Sequence, residues 1–166
     1  GDPFRGWGEK NYSATFCSLN RNKKSLTLDF RTDAGRDIAF ISDRSGSAHV
    51  YVMDTDGTNL RRLTTGGFNT QPRWSPRGDT IVFTSRLGNH DLWAISPDGS
   101  NLRRLTAGPG DNESASWAPN GRHLIFQSSR QGGTQLYTML SDGSEQQVLT
   151  GAPGQASSPA WSPRLP

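Results

Sequence analysis

The chain repeats itself. Phe40, Phe83 and Phe126 recur at intervals of 43 residues, and Trp74, Trp117 and Trp161 at 43 and 44. Between them, Asp56 and Gly57, Asp98 and Gly99, and Asp142 and Gly143 fall at matching places. Each pair is followed by a short run ending in Leu-Thr, at Thr64, Thr106 and Thr150. Several landmarks sharing one period mark an array of supersecondary units, each of which buries its apolar face against its neighbours.

Each unit holds four short β-prone runs separated by turn residues. The second run (Ile38 to Ser42, Ile81 to Ser85, Leu124 to Ser128) is nearly all apolar at its start, as suits a strand covered on both faces. The Asp-Gly pairs lie between the third and fourth runs, where a tight turn wants positive φ. Pro76, Ala118-Pro119 and Pro163 follow the Trp runs, and proline stops a ladder. Four antiparallel strands in about 43 residues is the size of one propeller blade. The expected fold class is therefore all-β, a β-propeller segment of three four-stranded blades. The Trp run lies innermost and Arg61, Arg62, Arg103 and Arg104 sit on the outer edge, where charge blunts edge-to-edge pairing.

Composition agrees with this. Gly and Pro together make 29 of 166 residues, so many residues go to turns. Leu, Ile, Val and Phe make only 30 of 166, but a net charge of +3 is too small for composition alone to imply disorder. A single cysteine, Cys17, excludes an intramolecular disulfide and a Cys-based zinc cage. No run approaches the length of a membrane span. The mild basicity reads as solvated surface and gives no reason to expect nucleic acid. The opening residues carry no charged and then apolar leader pattern.

The residues 42–46, 50–54, 56–59, 61–64 and 74–76 resemble the PD40 repeats of the TolB propeller family, as does the tail from Pro159 to Pro166. That resemblance, over residues 36–166, implies a periplasmic part of the Tol-Pal envelope system. It implies a six-bladed ring preceded by an α/β domain, and a Pal-like lipoprotein as protein partner. Three blades and no α/β domain are readable here. Residues 1–37 do not share the repeat. The stretch 19–36, with 1–8 before it, resembles family III CoA-transferases, in which Asn20, Asn22 and Lys23 would lie beside CoA. Thirty-seven residues cannot build that fold and lack its nucleophilic Asp, so the arm is read as a fusion remnant and 38–166 as the propeller segment.

Nothing in the repeats assembles a catalytic constellation. His49, His90 and His123 lack metal-site spacing, no nucleophile elbow occurs, and no Gly-rich phosphate loop is present, so no cofactor is expected. The run from Asp54 to Asn59 resembles half a calcium loop, but a hairpin turn explains all three equivalents. The three Trp read as packing between blades. The expectation is a non-enzymatic binding module. The alternative is a relic of a CoA-transferase, or the accessory propeller of a lyase or peptidase.

Binding then falls to loops on one propeller face, those between blades and those between second and third strands. Phe68 is the apolar anchor candidate there. The TolB resemblance, carried across by position, adds Asn69, Thr70, Gln71, Asn112, Glu113 and Ser157 as partner-binding residues. The phasing carries one more expectation. The repeats begin at a second strand and finish with a spare inner strand, Ser158 to Pro163. Two copies placed head to tail could close a six-bladed C2 ring.

Overall fold

The computed structural model describes residues 37–151 and 153–162. The arm of residues 1–36 lies outside the described residues, and with it the CoA-transferase resemblance and positions Asn20, Asn22 and Lys23. Among the described residues eleven strands form three antiparallel sheets. The first holds β1 (Asp37–Ser42), β2 (His49–Asp54) and β3 (Arg61–Arg62). The second runs β4 (Phe68–Trp74), β5 (Ile81–Leu87), β6 (Asn89–Ile95) and β7 (Arg103–Arg104). The third runs β8 (Asn112–Trp117), β9 (His123–Ser128), β10 (Gln135–Leu140) and β11 (Gln147–Val148). These are three sequential blades, the first lacking an inner strand among the described residues.

Each blade is a meander because its connections are short and rich in turn residues. The Asp-Gly turns are capped from within. Asp56 Oδ1 accepts from Thr58 N at 2.9 Å and Thr58 Oγ1 at 2.7 Å, and Asp98 with Ser100 and Asp142 with Ser144 repeat this. The turns are longer than two-residue hairpins: Asn59, Asn101 and Glu145 follow with φ near 50°. The hydroxyl bond, then the backbone bond, holds each Asp carboxyl below its ordinary value of 3.8. A depressed acid stabilises the fold above its unfolded pKa, and that contribution is lost as pH falls through the lower folded value. Replacing Thr58, Ser100 and Ser144 by Ala should flatten the loss of thermal midpoint between about pH 5 and pH 2. A midpoint series that is equally steep in both proteins would count against it. Asp37 works in the opposite sense. Desolvation, then Asp54, raises its carboxyl pKa, so it takes stability away as pH rises from the unfolded value.

Two apolar clusters sit between the blades. Val50, Val52, Ile81, Phe83 and Ile95 join blades 1 and 2, with Trp74 and Leu63 packed against them. Val82, Leu92, Leu105, Leu124, Phe126 and Met139 join blades 2 and 3, with Trp117 alongside. Each fully buried side chain of this kind contributes about 1.5–3 kcal/mol. The expectation that the Trp residues pack between blades therefore holds for Trp74 and Trp117, while Trp161 is exposed. The spare inner strand expected at Ser158 to Pro163 forms no ladder. Residues 155–162 join no sheet, because no second strand stands beside them among the described residues. The Arg pairs form the exposed outer edges as expected.

Candidate functional site

The inner strands carry a shared irregularity. The β4–β5 register shifts between Thr70 and Arg73, and the β8–β9 register between Glu113 and Ser116. The bulged residues Gln71 and Ser114 have φ of 54° and 56°, and Ser158 matches them at 54°. Such bulges re-aim side chains. Gln71 reaches across to the next blade: its Oε1 accepts from Ser114 N at 3.0 Å, and its Nε2 donates to Ser114 Oγ at 3.2 Å. The bulges thus tie neighbouring inner strands together.

The positions named from sequence separate into two groups. Phe68, Gln71 and Ser157 are exposed, and Thr70 and Glu113 partly so. Asn69 and Asn112 are buried and are not available as partner contacts. The inter-blade loops are fixed through these amides. Asn69 Nδ2 donates to Ala48 O at 3.1 Å and Gly66 O at 2.9 Å. Asn112 Nδ2 donates to Asp91 Oδ1 at 3.0 Å, and its Oδ1 accepts from Arg130 Nη2 at 2.7 Å. A buried amide satisfied this way fixes a loop.

Beneath each inter-blade loop runs a polar relay that sequence reading missed. A Thr hydroxyl (Thr64, Thr106, Thr150) accepts from the third-strand backbone at Val50, Leu92 and Leu136, at 2.9–3.0 Å. It then meets the residue just before that backbone donor: His49 at 3.3 Å, Asp91 at 2.8 Å and Gln135 at 2.7 Å. Because three different residues fill the repeated position, identity matching hides it; the recurring Thr was the readable clue. In blade 2, Asp91 also pairs with Arg104 of the outer edge.

The loops between second and third strands differ among blades. In blades 1 and 3, Arg44 and Arg130 fold back onto Ser42 and Ser128, Nε to Oγ at 2.9 Å. Both guanidiniums lie over aromatic rings, at 5.1 Å from Tyr51 and 4.7 Å from Tyr137, a cation–π seal for the blade end. Blade 2 has Leu87 at this place, and its turn at Gly88 is one residue shorter. Leu87 is 68% exposed and Phe68, paired through Arg86 at the same blade end, is 52% exposed. Beside them stand His90, Asp111 and Glu113, with His90 Nδ1 at 3.1 Å from Asp111 and 3.7 Å from Glu113. The His90 backbone N–H, and then its ring, hold the Asp111 carboxyl below the ordinary value. Among the described residues no cluster has the spacing to hold a metal ion, and no helix is long and apolar enough to cross a membrane.

Radially stacked meanders with bulged inner strands define a segment of a β-propeller. The chain belongs to the TolB β-propeller family, whose PD40 "TolB beta propeller domain" matches residues 21–165. It is 38% identical over 83 residues to the Tol-Pal system protein TolB of Desulfosudis oleivorans, covering 49% of this chain and 19% of that one. It is also 46% identical over 52 residues to the uncharacterized peptidase YuxL of Bacillus subtilis, covering 30% of this chain and 8% of that one. The structure of putative TolB from Agrobacterium tumefaciens superposes with a TM-score of 0.63 at 27% identity, over 69% of this chain and 45% of that one. The chain thus spans less than half the length of these relatives. The family match begins within the arm, at residue 21.

Proposed function

We propose that this chain is a non-catalytic docking segment that holds a protein partner on the face formed by its inter-blade loops. The partner on this reading is a Pal-like lipoprotein of the periplasm. The observation that carries it is the exposed pair Phe68 and Leu87, on the one blade whose end is not sealed by an arginine. Exposed apolar residues on a rigid, polar-rimmed loop set are the usual make-up of an interface centre. Gln71, Thr70, Glu113 and Ser157 form the polar surround. Asn69 and Asn112 support it from below. The kinship with Tol-Pal system proteins supports the choice of partner. In this reading a second copy completes the face by closing a six-bladed ring.

The test is binding of the soluble domain of a Pal-like lipoprotein to the immobilised chain. Phe68→Ser with Leu87→Ser should weaken binding at least tenfold while leaving the thermal midpoint in place. Equal binding by the variant, or none by the parent chain, overturns the reading. The YuxL similarity favours a second one, a propeller that accompanies a peptidase domain. There the same face would hold a hydrolase domain, and the lipoprotein would not be captured.

A further inference from the structure

Three features of the open ends repeat contacts that are satisfied inside the molecule. The first is an indole. Trp117 Nε1 donates to Arg73 O, on the inner strand of the preceding blade, at 3.2 Å. Trp74 stands at the same place one blade earlier, and its Nε1 is buried with no acceptor among the described residues. By the same geometry its acceptor would be a carbonyl of an inner strand in blade 1, a strand that the described residues do not include. A buried donor left alone is costly, so this is a vacancy of defined chemistry.

The second is a leucine. Leu105 is 5% exposed because the Gly143 turn of blade 3 lies against it, close enough that a Cβ on Gly143 would meet Leu105 O at 2.7 Å. Leu149 is the equivalent residue of blade 3, and it is 58% exposed. The turn that would cover it corresponds to Asp56 and Gly57 of a blade 1.

The third is the segment 156–162. It lies along blade 3 as an inner strand does. Ala156 N donates to Thr134 O at 2.8 Å, as Asn69 N does to Ala48 O at 2.9 Å. Trp161 N donates to Ser116 Oγ at 3.3 Å and Ser158 N to Gln127 Oε1 at 2.9 Å. Ser158 carries the bulge conformation already. Meanwhile the edge of β1 that faces the pore has no ladder partner among the described residues.

We infer that β1 and Trp74 form a strand-acceptor slot, and that its occupant is the segment 156–161 of a second copy. This deepens the two-copy ring proposed above. One head-to-tail arrangement would answer all three. The added strand pairs with β1, its Ala160 carbonyl takes the Trp74 N–H, and the Gly57 turn of the copy's blade 1 covers Leu149. The register follows from the two complete blades, where Asn69, Thr70, Arg73 and Trp74 face Ser85, Thr84, Val82 and Ile81, and β8 repeats the pattern on β9. Ala156, Ser157, Ala160 and Trp161 of the copy therefore face Ser42, Ile41, Ala39 and Ile38. Exchange in both directions gives a closed C2 ring.

The register makes the test specific. In the full chain with Cys17→Ser, Ala39→Cys and Ala160→Cys become cross-strand partners at a separation a disulfide can span. Mild oxidation should yield a covalent species of twice the chain mass, and sedimentation of the reduced chain should show a dimer. Trp74→Phe should weaken that dimer about three- to tenfold, over and above the packing lost against the blade 1–blade 2 cluster, which the midpoint of the dissociated chain reads separately. A dimer that does not cross-link overturns the slot but leaves the two-copy ring standing. A monomer at all concentrations, or a disulfide within one chain, overturns both. Whether Phe68 and Leu87 hold a partner is read separately, by the binding test above.

Discussion

Replacing Asp91 by Ala should lower stability by about 3 kcal/mol, the cost of leaving two buried donors and an ion-pair partner without their acceptor. Asp91 is buried within β6, where it accepts from Thr106 Oγ1 at 2.8 Å, from Asn112 Nδ2 at 3.0 Å and from the Arg104 guanidinium. Those donors come from three places: the connection that follows the outer strand β7, the inner strand of the next blade, and the outer edge. Arg104 is nearly half exposed, so water recovers much of its share, and the larger losses are at Asn112 and Thr106. For a domain of this size the midpoint should fall by about 6–12 °C. Asp91→Asn, which keeps one acceptor oxygen, should fall by less. The measurement is thermal unfolding by circular dichroism, and a drop under about 2 °C for Asp91→Ala would mean that the relay contributes little.

Gly143→Ala should cost a similar amount for a different reason. Gly143 sits at φ 92°, and a Cβ there would lie 2.7 Å from Leu105 O and 3.1 Å from Leu105 Cα. Both obstacles are backbone of the neighbouring blade, so neither can swing aside. The conformational term is about 1–2 kcal/mol and the overlap adds about 1–3 kcal/mol. Gly132→Ala separates the two: its φ is 90° but nothing lies within 4 Å, so it should show the conformational term alone. Chemical denaturation of both variants checks this, and equal losses would remove the steric part of the argument.

Much of the fold was legible because packing repeats exactly where identity repeats. The Phe residues of the second strands, the Trp residues of the inner strands and the Asp-Gly turns recur at one spacing, and each marks a position that every blade must fill in the same way. The missing inner strand of blade 1 could be read from the phase of those landmarks. The relay could not, because His49, Asp91 and Gln135 share a place but not a chemistry. Asn69 and Asn112 were misread because an amide in a Gly-rich loop looks like a solvent group until its acceptors are known, two carbonyls for Asn69 and the Asp91 carboxylate for Asn112. The trailing strand was readable as a strand, yet a ladder needs two sides, and the described residues supply one. Phe68 was found by its apolarity alone, whereas Leu87 needed the comparison with Arg44 and Arg130.

The shortened turn at Gly88 breaks the equivalence of the blades. A disc assembled from identical wedges has no preferred direction of approach; one with a single unsealed wedge per chain does. Were two chains to share one disc, these marks would stand half a revolution apart. A partner tethered to a surface could then be gripped at both, and its release would require two separations rather than one, so residence would lengthen with no change in either contact.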